Sequence, residues 1–275
     1  MQPLEEKTLF DNQKLLVVVD PTEDDLSTLD RVLTICKTRV DETGKYPEVT
    51  LFVSAEIGKY PGEEDGYREL DWITNLRKPF VDLGVNCKLL LSWTDNWAKS
   101  ILEMASGNGF TSIVMPYHSG DERQNLSNAF WYLVRNTRVP VILTGTTEPT
   151  ELRKTILVCR NVQEPGLKEI NKKTLGYAKD VAEKNGGTVH LVSSYQDSSD
   201  YPDRGRLAAD TGLPNNQLHV KLGAPEKVIS EVAKEIDADL VLLAVSRRTG
   251  IKTALMGRNM DRIIKSIDRD MLLVV

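Results

Sequence analysis

Cysteine is scarce in this chain of 275 residues, and its three copies, Cys36, Cys87 and Cys159, lie far apart in the sequence. There is no CxxC pair, so the sequence indicates neither a disulfide framework nor a zinc site, and we expect three small buried side chains. Basic residues are not in excess either, because the formal net charge is -5 and the Lys and Arg residues are dispersed. This charge pattern argues against nucleic acid as a partner.

Long apolar runs are also missing. No run approaches membrane-spanning length, and residues 1–14 lack the basic and apolar regions of a signal peptide. We therefore expect a cytoplasmic protein that does not enter a membrane.

Catalytic signatures are absent as well. The sequence contains no GxxxxGK[ST] loop, no HExxH and no GxSxG elbow. Two of its three histidines, His190 and His219, fall inside predicted strands and are expected to be structural. No nucleophile, base and orienting acid can be assembled, so the sequence predicts no catalytic residues, no metal site and no enzyme.

Apolar runs do alternate with amphipathic stretches along the whole chain. LLVVV at residues 15–19 predicts a first strand, and Leu26, Leu29 and Leu33 follow at the spacing of a helix. In the helix predicted after Leu70, Pro79 is expected to cause a kink or a break. Thr94 or Asp95 is expected to cap the next helix.

The order of elements occurs twice. KLLVVVD at Lys14 corresponds to KTILVCRN at Lys154, and VTLFVS at Val49 corresponds to VHLVSS at Val189, with the same spacing of 140 residues in both cases. GTTEPTELR between the copies has the composition of a linker. We therefore predict two tandem domains, over residues 1–146 and 152–275.

Each copy predicts a doubly wound α/β domain. Strands that alternate with helices form parallel sheets with right-handed crossovers, and five strands commonly take the order 3-2-1-4-5. A ligand crevice then opens at the carboxyl ends of strands 1 and 4. In the second copy it is lined by Arg160, Asn161 and residues 244–248, and in the first by Asp20 and residues 116–119.

Three stretches carry a resemblance to a known family: VVVDPTEDD after the first strand, GAPEKVISEVAKEIDADLVLLAVSRRTG, and the helix and strand after LMG. On these stretches the chain resembles tandem members of the universal stress protein family. The resemblance is specific in the second copy and weaker in the first. The resemblance implies a non-enzymatic stress-response protein that senses or binds a small ligand. It also implies that the two domains pair as a pseudo-dimer through VPVILT and MLLVV, and it allows a further homodimer.

Many members of that family bind ATP through a loop patterned G-x2-G-x9-G-[S/T] after the fourth strand. Glycines let main-chain N–H groups approach the phosphates, and the hydroxyl adds a donor. With Gly257 as the third glycine, Ala244 and Arg247 replace the first two and Arg258 replaces the hydroxyl residue. In the first copy the pattern is lost, since Phe130 and Trp131 stand at and after its last position. The first copy is therefore predicted not to bind nucleotide in the family manner.

The arginines of the second copy allow two interpretations. Arginines near a predicted helix N-terminus can bind an anion bidentately, so ATP or another anionic ligand could be held there. Alternatively the arginines are solvated, or they pair with acids such as Asp261. In the first copy, Asp20 resembles the residue near the adenosine but could be a turn or helix cap, and His118 is a ligand donor or a surface histidine. The predicted ligand-binding residues are Asp20, His118, Arg160, Asn161, Ala244, Ser246, Arg247, Arg248, Gly250, Gly257, Arg258 and Asn259.

Overall fold

The structure is a computed structural model, and it describes residues 13–21, 25–56, 70–117, 126–145, 153–161, 165–246 and 259–275. The chain divides into two compact units. Unit 1 consists of Met1–Pro116 and Ser127–Thr144, and unit 2 consists of Tyr117–Leu126 and Gly145–Val275. Of the predicted linker, only Gly145 and Arg153 fall within the described residues.

Unit 1 is a five-stranded parallel sheet with the strand order β3-β2-β1-β4-β5, as the sequence predicts. Its elements are β1 (Lys14–Val19), α1 (Ser27–Thr43), β2 (Glu48–Glu56), α2 (Leu70–Asp82), β3 (Cys87–Thr94), α3 (Trp97–Gly107), β4 (Ser112–Pro116), α4 (Asn128–Asn136) and β5 (Val141–Thr144).

The apolar strands of unit 1 form its core. All residues of β1 from Leu15 to Val19 are buried, because a parallel strand inside a doubly wound sheet has helices on both faces. Phe52 in β2 and Phe80 in α2 are among the largest fully buried side chains. Burial of these continuous apolar runs gives the hydrophobic contribution that holds the sheet and its helices together.

Two local predictions in unit 1 need correction. Pro79 lies inside α2, which runs from Leu70 to Asp82, so the proline does not break this helix. The proline removes one main-chain donor close to the end of the helix, where few further turns depend on it. The cap of α3 is Asn96, whose Oδ1 accepts the N–H of Lys99 at 3.0 Å, whereas Thr94 accepts the N–H of Asn96.

Unit 2 repeats the topology in the order β8-β7-β6-β9-β10, again with every described strand pair parallel. Its elements are β6 (Thr155–Cys159), α5 (Lys168–Asn185), β7 (Thr188–Tyr195), α6 (Arg204–Thr211), β8 (Leu218–Leu222), α7 (Pro225–Glu235), β9 (Leu240–Ala244), a last helix, α8, over 259–265, and β10 (Asp270–Val274).

The described part of α8 has one apolar face. Ile263 and Ile264 are buried, and so is Ile267, which follows the helix. Met260 is half-buried at the start of the described part. This spacing places the apolar side chains on one side of the helix, and they contribute to the core of unit 2.

A buried carboxylate fixes the start of unit 2 to its last strand. The side chain of Asp270, at the beginning of β10, is 2% exposed. Its Oδ1 accepts the N–H of Gly145 at 3.0 Å, and its Oδ2 accepts a hydrogen bond from Arg153 Nη2 at 2.6 Å. No local sequence pattern marks this network, because its members are far apart along the chain.

The three cysteines are free and buried, as predicted. Burial raises the pKa of the Cys36 thiol to about 12 and that of Cys87 to about 11, and it also raises the pKa of Cys159. All three are therefore neutral thiols near pH 7 and behave as small apolar side chains. Within the described ranges, no helix combines the length and the apolar character needed to cross a membrane.

Candidate functional site

The carboxyl ends of β6 and β9 lie side by side in unit 2. The two strands pair in parallel up to Cys159 and Leu243, so Arg160 and Ala244 come next on neighbouring strands. Ala244 is buried and pairs with Val274 of β10, while the main chain of Arg160 turns towards β7 and donates its N–H to Val192 at 2.9 Å. The structure thus brings Arg160 and Ala244 together at the point where the winding of the sheet reverses, which is where doubly wound folds hold ligands.

The guanidinium group of Arg160 supplies a positive charge at the carboxyl end of β6. Its Nη2 lies 3.3 Å from Asp210 Oδ2 in α6, which is longer than the ~2.7–2.9 Å typical of charge-assisted hydrogen bonds. Its Nε is buried and has no hydrogen-bond partner among the residues that the structure describes. A buried donor without a partner is costly, so this group has hydrogen-bonding capacity that a ligand atom or water could use.

Asp210 was not anticipated from the sequence as a partner of Arg160. The residue lies in α6, which has 8 residues, whereas α2, its counterpart in the first copy, has 13. A repeat alignment therefore offers no equivalent position from which its role could be inferred. The signal that could have found it is limited to an acidic residue near the C-terminal end of a short helix.

The other predicted ligands of unit 2 are only partly described. Asn161 is exposed, and its carbonyl oxygen accepts a hydrogen bond from Asn171 Nδ2 at 3.2 Å. Ser246 is half-buried just beyond β9, and Asn259 is exposed at the start of the described part of α8. Arg247, Arg248, Gly250, Gly257 and Arg258 lie outside the described residues and stay predictions.

In unit 1 the equivalent position is bordered by large aromatic side chains. Ser127 caps α4 by accepting the N–H of Phe130 at 3.0 Å, and Phe130 and Trp131 in the first turn are both buried. Their rings meet edge to face with centroids 5.3 Å apart. Asp20 is exposed after β1, and His118 lies outside the described residues. The first turn of α4 therefore presents packed aromatic rings instead of the small residues of a phosphate loop.

His190 and His219 form a hydrogen-bonded pair in unit 2. Nδ1 of His190 lies 3.1 Å from Nε2 of His219. The pairing of Val192 with His219 places both imidazoles on one face of β7 and β8. Burial lowers the pKa of both histidines, and the pKa of His219 is lowered further by His190, Lys221 and Arg204, whereas Glu235 opposes this. These environments favour two neutral imidazoles, one donating and the other accepting.

This pair predicts that the unfolding free energy falls as the pH drops below about 6.5. The folded-state pKa of each histidine is depressed, so protons bind first to the unfolded chain, and stability present above the unfolded pKa is lost as the pH falls through the folded pKa. His219→Gln removes one titrating group, so we expect a smaller decrease than in the wild type. Urea unfolding between about pH 8 and about pH 5 measures this, and equal pH slopes for the two proteins would contradict it.

No group of three or more potential ligands suited to a metal ion occurs among the described side chains. His190 and His219 are close enough to share an ion, but no third described His, Cys, Asp or Glu completes such a group.

Comparison with known proteins agrees with the topology and the resemblance. The model of the universal stress protein family matches residues 202–275. Universal stress protein E homolog of Haemophilus influenzae is 27% identical, over 94% of this chain and 96% of its own length. Universal stress protein E of Escherichia coli (strain K12) is 26% identical, over 95% of this chain and 93% of its own length.

Solved structures share the fold over almost the whole chain. A putative universal stress protein from Pseudomonas aeruginosa UCBPP-PA14 superposes with a TM-score of 0.72 at 20% identity, covering 96% of this chain and 94% of its own. A universal stress protein from Archaeoglobus fulgidus gives a TM-score of 0.65 at 15% identity, covering 96% of each chain. This chain has two copies of one doubly wound topology, it is similar along nearly its full length to universal stress protein E, and its residues 202–275 match the model of the universal stress protein family.

Proposed function

We propose that this protein is a non-enzymatic stress-response protein that binds a small anionic ligand in unit 2, while unit 1 does not bind nucleotide in the family manner. The observation that carries the proposal is Arg160. Its guanidinium stands at the carboxyl end of β6, keeps only a long contact with Asp210, and has a buried Nε without a described partner. An anion at the crevice would supply the missing acceptor.

Several features support the choice of an anion. A guanidinium offers five N–H donors in a planar fork that fits phosphate and carboxylate oxygens. The sequence adds Arg247, Arg248 and Arg258 to the loop that follows β9, close to the start of α8. A helix N-terminus favours negative charge, so these arginines and Arg160 would act in the same direction.

Helix α4 is the reason for assigning different ligand-binding properties to the two units. Phe130 and Trp131 are packed into unit 1, with Phe130 at the position where the family pattern has a hydroxyl residue and Trp131 directly after it. Opening a phosphate site there would expose two large aromatic side chains, at a cost of several kcal/mol. We therefore assign ligand binding to unit 2 alone.

A narrower candidate for the ligand is an adenine nucleotide, bound with or without weak hydrolysis of ATP. The loop pattern after β9 favours it, since Gly257 keeps one of the four family positions and arginines replace two others. No described residue of unit 2 is assigned to a catalytic step, so binding without turnover is the function we propose. The family resemblance also implies an intramolecular partner, namely pairing of the two domains through their last strands.

The test is the thermal stability of the full chain with and without millimolar ATP, ADP, AMP or pyrophosphate, each with magnesium. A ligand at one hundred times its dissociation constant adds about 2.7 kcal/mol, which is a shift of a few degrees for a protein of this size. We expect Arg160→Gln to reduce the shift, and Arg247→Glu combined with Arg258→Glu to abolish it. Arg206→Gln is the matched control, because Arg206 is exposed on α6.

Equal ligand-induced shifts of thermal stability in the wild type, Arg160→Gln and Arg206→Gln would show that Arg160 does not contribute to the site. The absence of any shift, with no ligand released on denaturation, would contradict the proposal for these anions.

A further inference from the structure

Strand β3 stands at the outer end of the unit 1 sheet. It pairs in parallel with β2 over eight residues, from Cys87 beside Val49 to Thr94 beside Glu56, and no described strand of unit 1 lies on its other side. The outer side of such a strand presents main-chain N–H and C=O groups to any further strand that approaches it.

The side chains of β3 are unusually apolar for an edge that faces solvent. Leu90 is 38% exposed, Leu91 43% and Trp93 49%, so they are among the most exposed large apolar side chains of the described chain. Val81, in the neighbouring helix α2, is also 49% exposed. Lys88 is the one charged residue in the strand. A long apolar edge with so little charge favours association with another strand.

The corresponding edge of unit 2 is protected in ways that natural sheets commonly use. Strand β8 has only five residues, and Arg204 Nη2 donates a hydrogen bond to the carbonyl oxygen of Leu218 at 2.6 Å. Lys221 projects from the same strand and forms an ion pair with Glu235 at 2.6 Å. Short length, a side chain on the strand carbonyl and an exposed charge all hinder pairing with another strand. The two edges of this protein therefore differ, although the units share one topology.

We propose that β3 is a self-association surface, and that it pairs antiparallel with β3 of a second copy of this chain across a two-fold axis. A second copy fits because the strand is complementary to itself. With the axis at Leu91, Leu91 lies opposite its own copy and Leu89 lies opposite Trp93, so one face carries three apolar pairs. Residues opposite each other in antiparallel strands share a face and interact directly.

Charge is compatible with the same register. Lys88 falls opposite Thr94, so no like charges are paired along the strand. The same operation on β8 would place His219, which is hydrogen-bonded to His190, opposite Lys221, which is paired with Glu235, so neither side chain offers an apolar partner. The sequence of β3 therefore suits a symmetric pair, and the sequence of β8 does not.

Sedimentation equilibrium of the full chain, over a range of protein concentrations, tests the surface. We expect a reversible monomer–dimer equilibrium. Leu91→Lys would place two ammonium groups together on the axis, and we expect the dissociation constant to rise at least about a hundredfold. Leu222→Lys is the matched control, because Leu222 is an exposed leucine in the other edge strand, and we expect it to leave the equilibrium unchanged.

A crosslink tests the register independently. Residue 91 is the position in the strand that meets its own copy, at a Cα separation of about 4.5–5.5 Å, which suits a disulfide. We expect Leu91→Cys to form a covalent dimer under mild oxidation, and Leu90→Cys, which faces Ser92, to crosslink poorly. The native cysteines are all buried, which keeps the background low.

A wild-type protein that stays monomeric at every concentration would overturn the proposal. Equal effects of Leu91→Lys and Leu222→Lys, or equal crosslinking at residues 90 and 91, would also overturn it. These outcomes do not depend on ligand binding in unit 2.

Discussion

Asp270→Ala is expected to lower the unfolding free energy of unit 2 by about 3–5 kcal/mol, because it breaks a buried ion pair. The carboxylate is 2% exposed and accepts hydrogen bonds from Arg153 Nη2 at 2.6 Å and from the N–H of Gly145 at 3.0 Å. The substitution leaves a guanidinium that is 18% exposed and a main-chain donor, both without this acceptor. Urea unfolding followed by far-UV circular dichroism measures the loss.

The control for Asp270→Ala is Glu235→Ala. Glu235 contacts Lys221 at the same distance of 2.6 Å, but its side chain is 55% exposed, so we expect a much smaller loss than for Asp270→Ala. All four tryptophans, Trp72, Trp93, Trp97 and Trp131, lie in unit 1. Tryptophan fluorescence therefore shows how far a change in unit 2 affects unit 1. Similar losses for Asp270→Ala and Glu235→Ala would contradict the importance of burial.

Gly187→Ala is expected to be the second strongly destabilising change, at about 3 kcal/mol or more. A Cβ at position 187 would lie 2.2 Å from the carbonyl oxygen of Lys154 and 2.7 Å from its Cα. That carbonyl accepts the N–H of Thr188 at 2.7 Å, so the starts of β6 and β7 cannot separate without losing a hydrogen bond. The clash is with main chain, which cannot change rotamer to relieve it.

Gly176→Ala is the control, and the opposite sign is expected. Gly176 lies inside α5, and a Cβ there would meet no atom within 4 Å apart from its chain neighbours and the backbone of its own helix. Alanine restricts the unfolded chain and favours the helix, so stability should rise by about 0.5–1 kcal/mol. Urea unfolding of the two variants and the wild type measures both changes in unfolding free energy. A loss of stability in Gly176→Ala, or no loss in Gly187→Ala, would contradict these positions in the structure.

Much of the fold could be predicted because it depends on short-range patterns that the sequence displays directly. Apolar runs such as LLVVV and LVLLA have no alternation, which indicates strands covered on both faces, and their regular alternation with helices predicts parallel sheets. The repeated order then predicts the same strand order in both copies. All of this information is local or periodic.

Details that depend on distant residues or on close competitors could not be predicted. The Asp270 network joins residues 125 positions apart, and no local pattern marks its members as partners. Thr94, Asp95 and Asn96 are all good caps, so the choice of Asn96 depends on where the strand ends and the helix begins. The continuity of α2 through Pro79 could not be predicted either, because it depends on where the helix ends.

The candidate site was predicted in outline. The topology correctly placed Arg160 next to Ala244, because strand order alone determines which strand ends are neighbours. The contact between Arg160 and Asp210 was missed, since α6 is shorter than α2, its counterpart in the first copy, and the repeat gives no aligned position for Asp210. The contact between His190 and His219 was missed for a different reason, namely that it depends on the register between two strands that are far apart in sequence.

The central claim is that one unit of this tandem protein holds an anionic ligand and the other does not. Native mass spectrometry of the full chain with ATP, ADP, AMP and pyrophosphate tests it most directly, because it counts bound ligands. The account predicts one ligand per chain, with weaker binding in Arg160→Gln and unchanged binding in Arg206→Gln. Two ligands per chain, no ligand at all, or equal occupancy in both variants would contradict it.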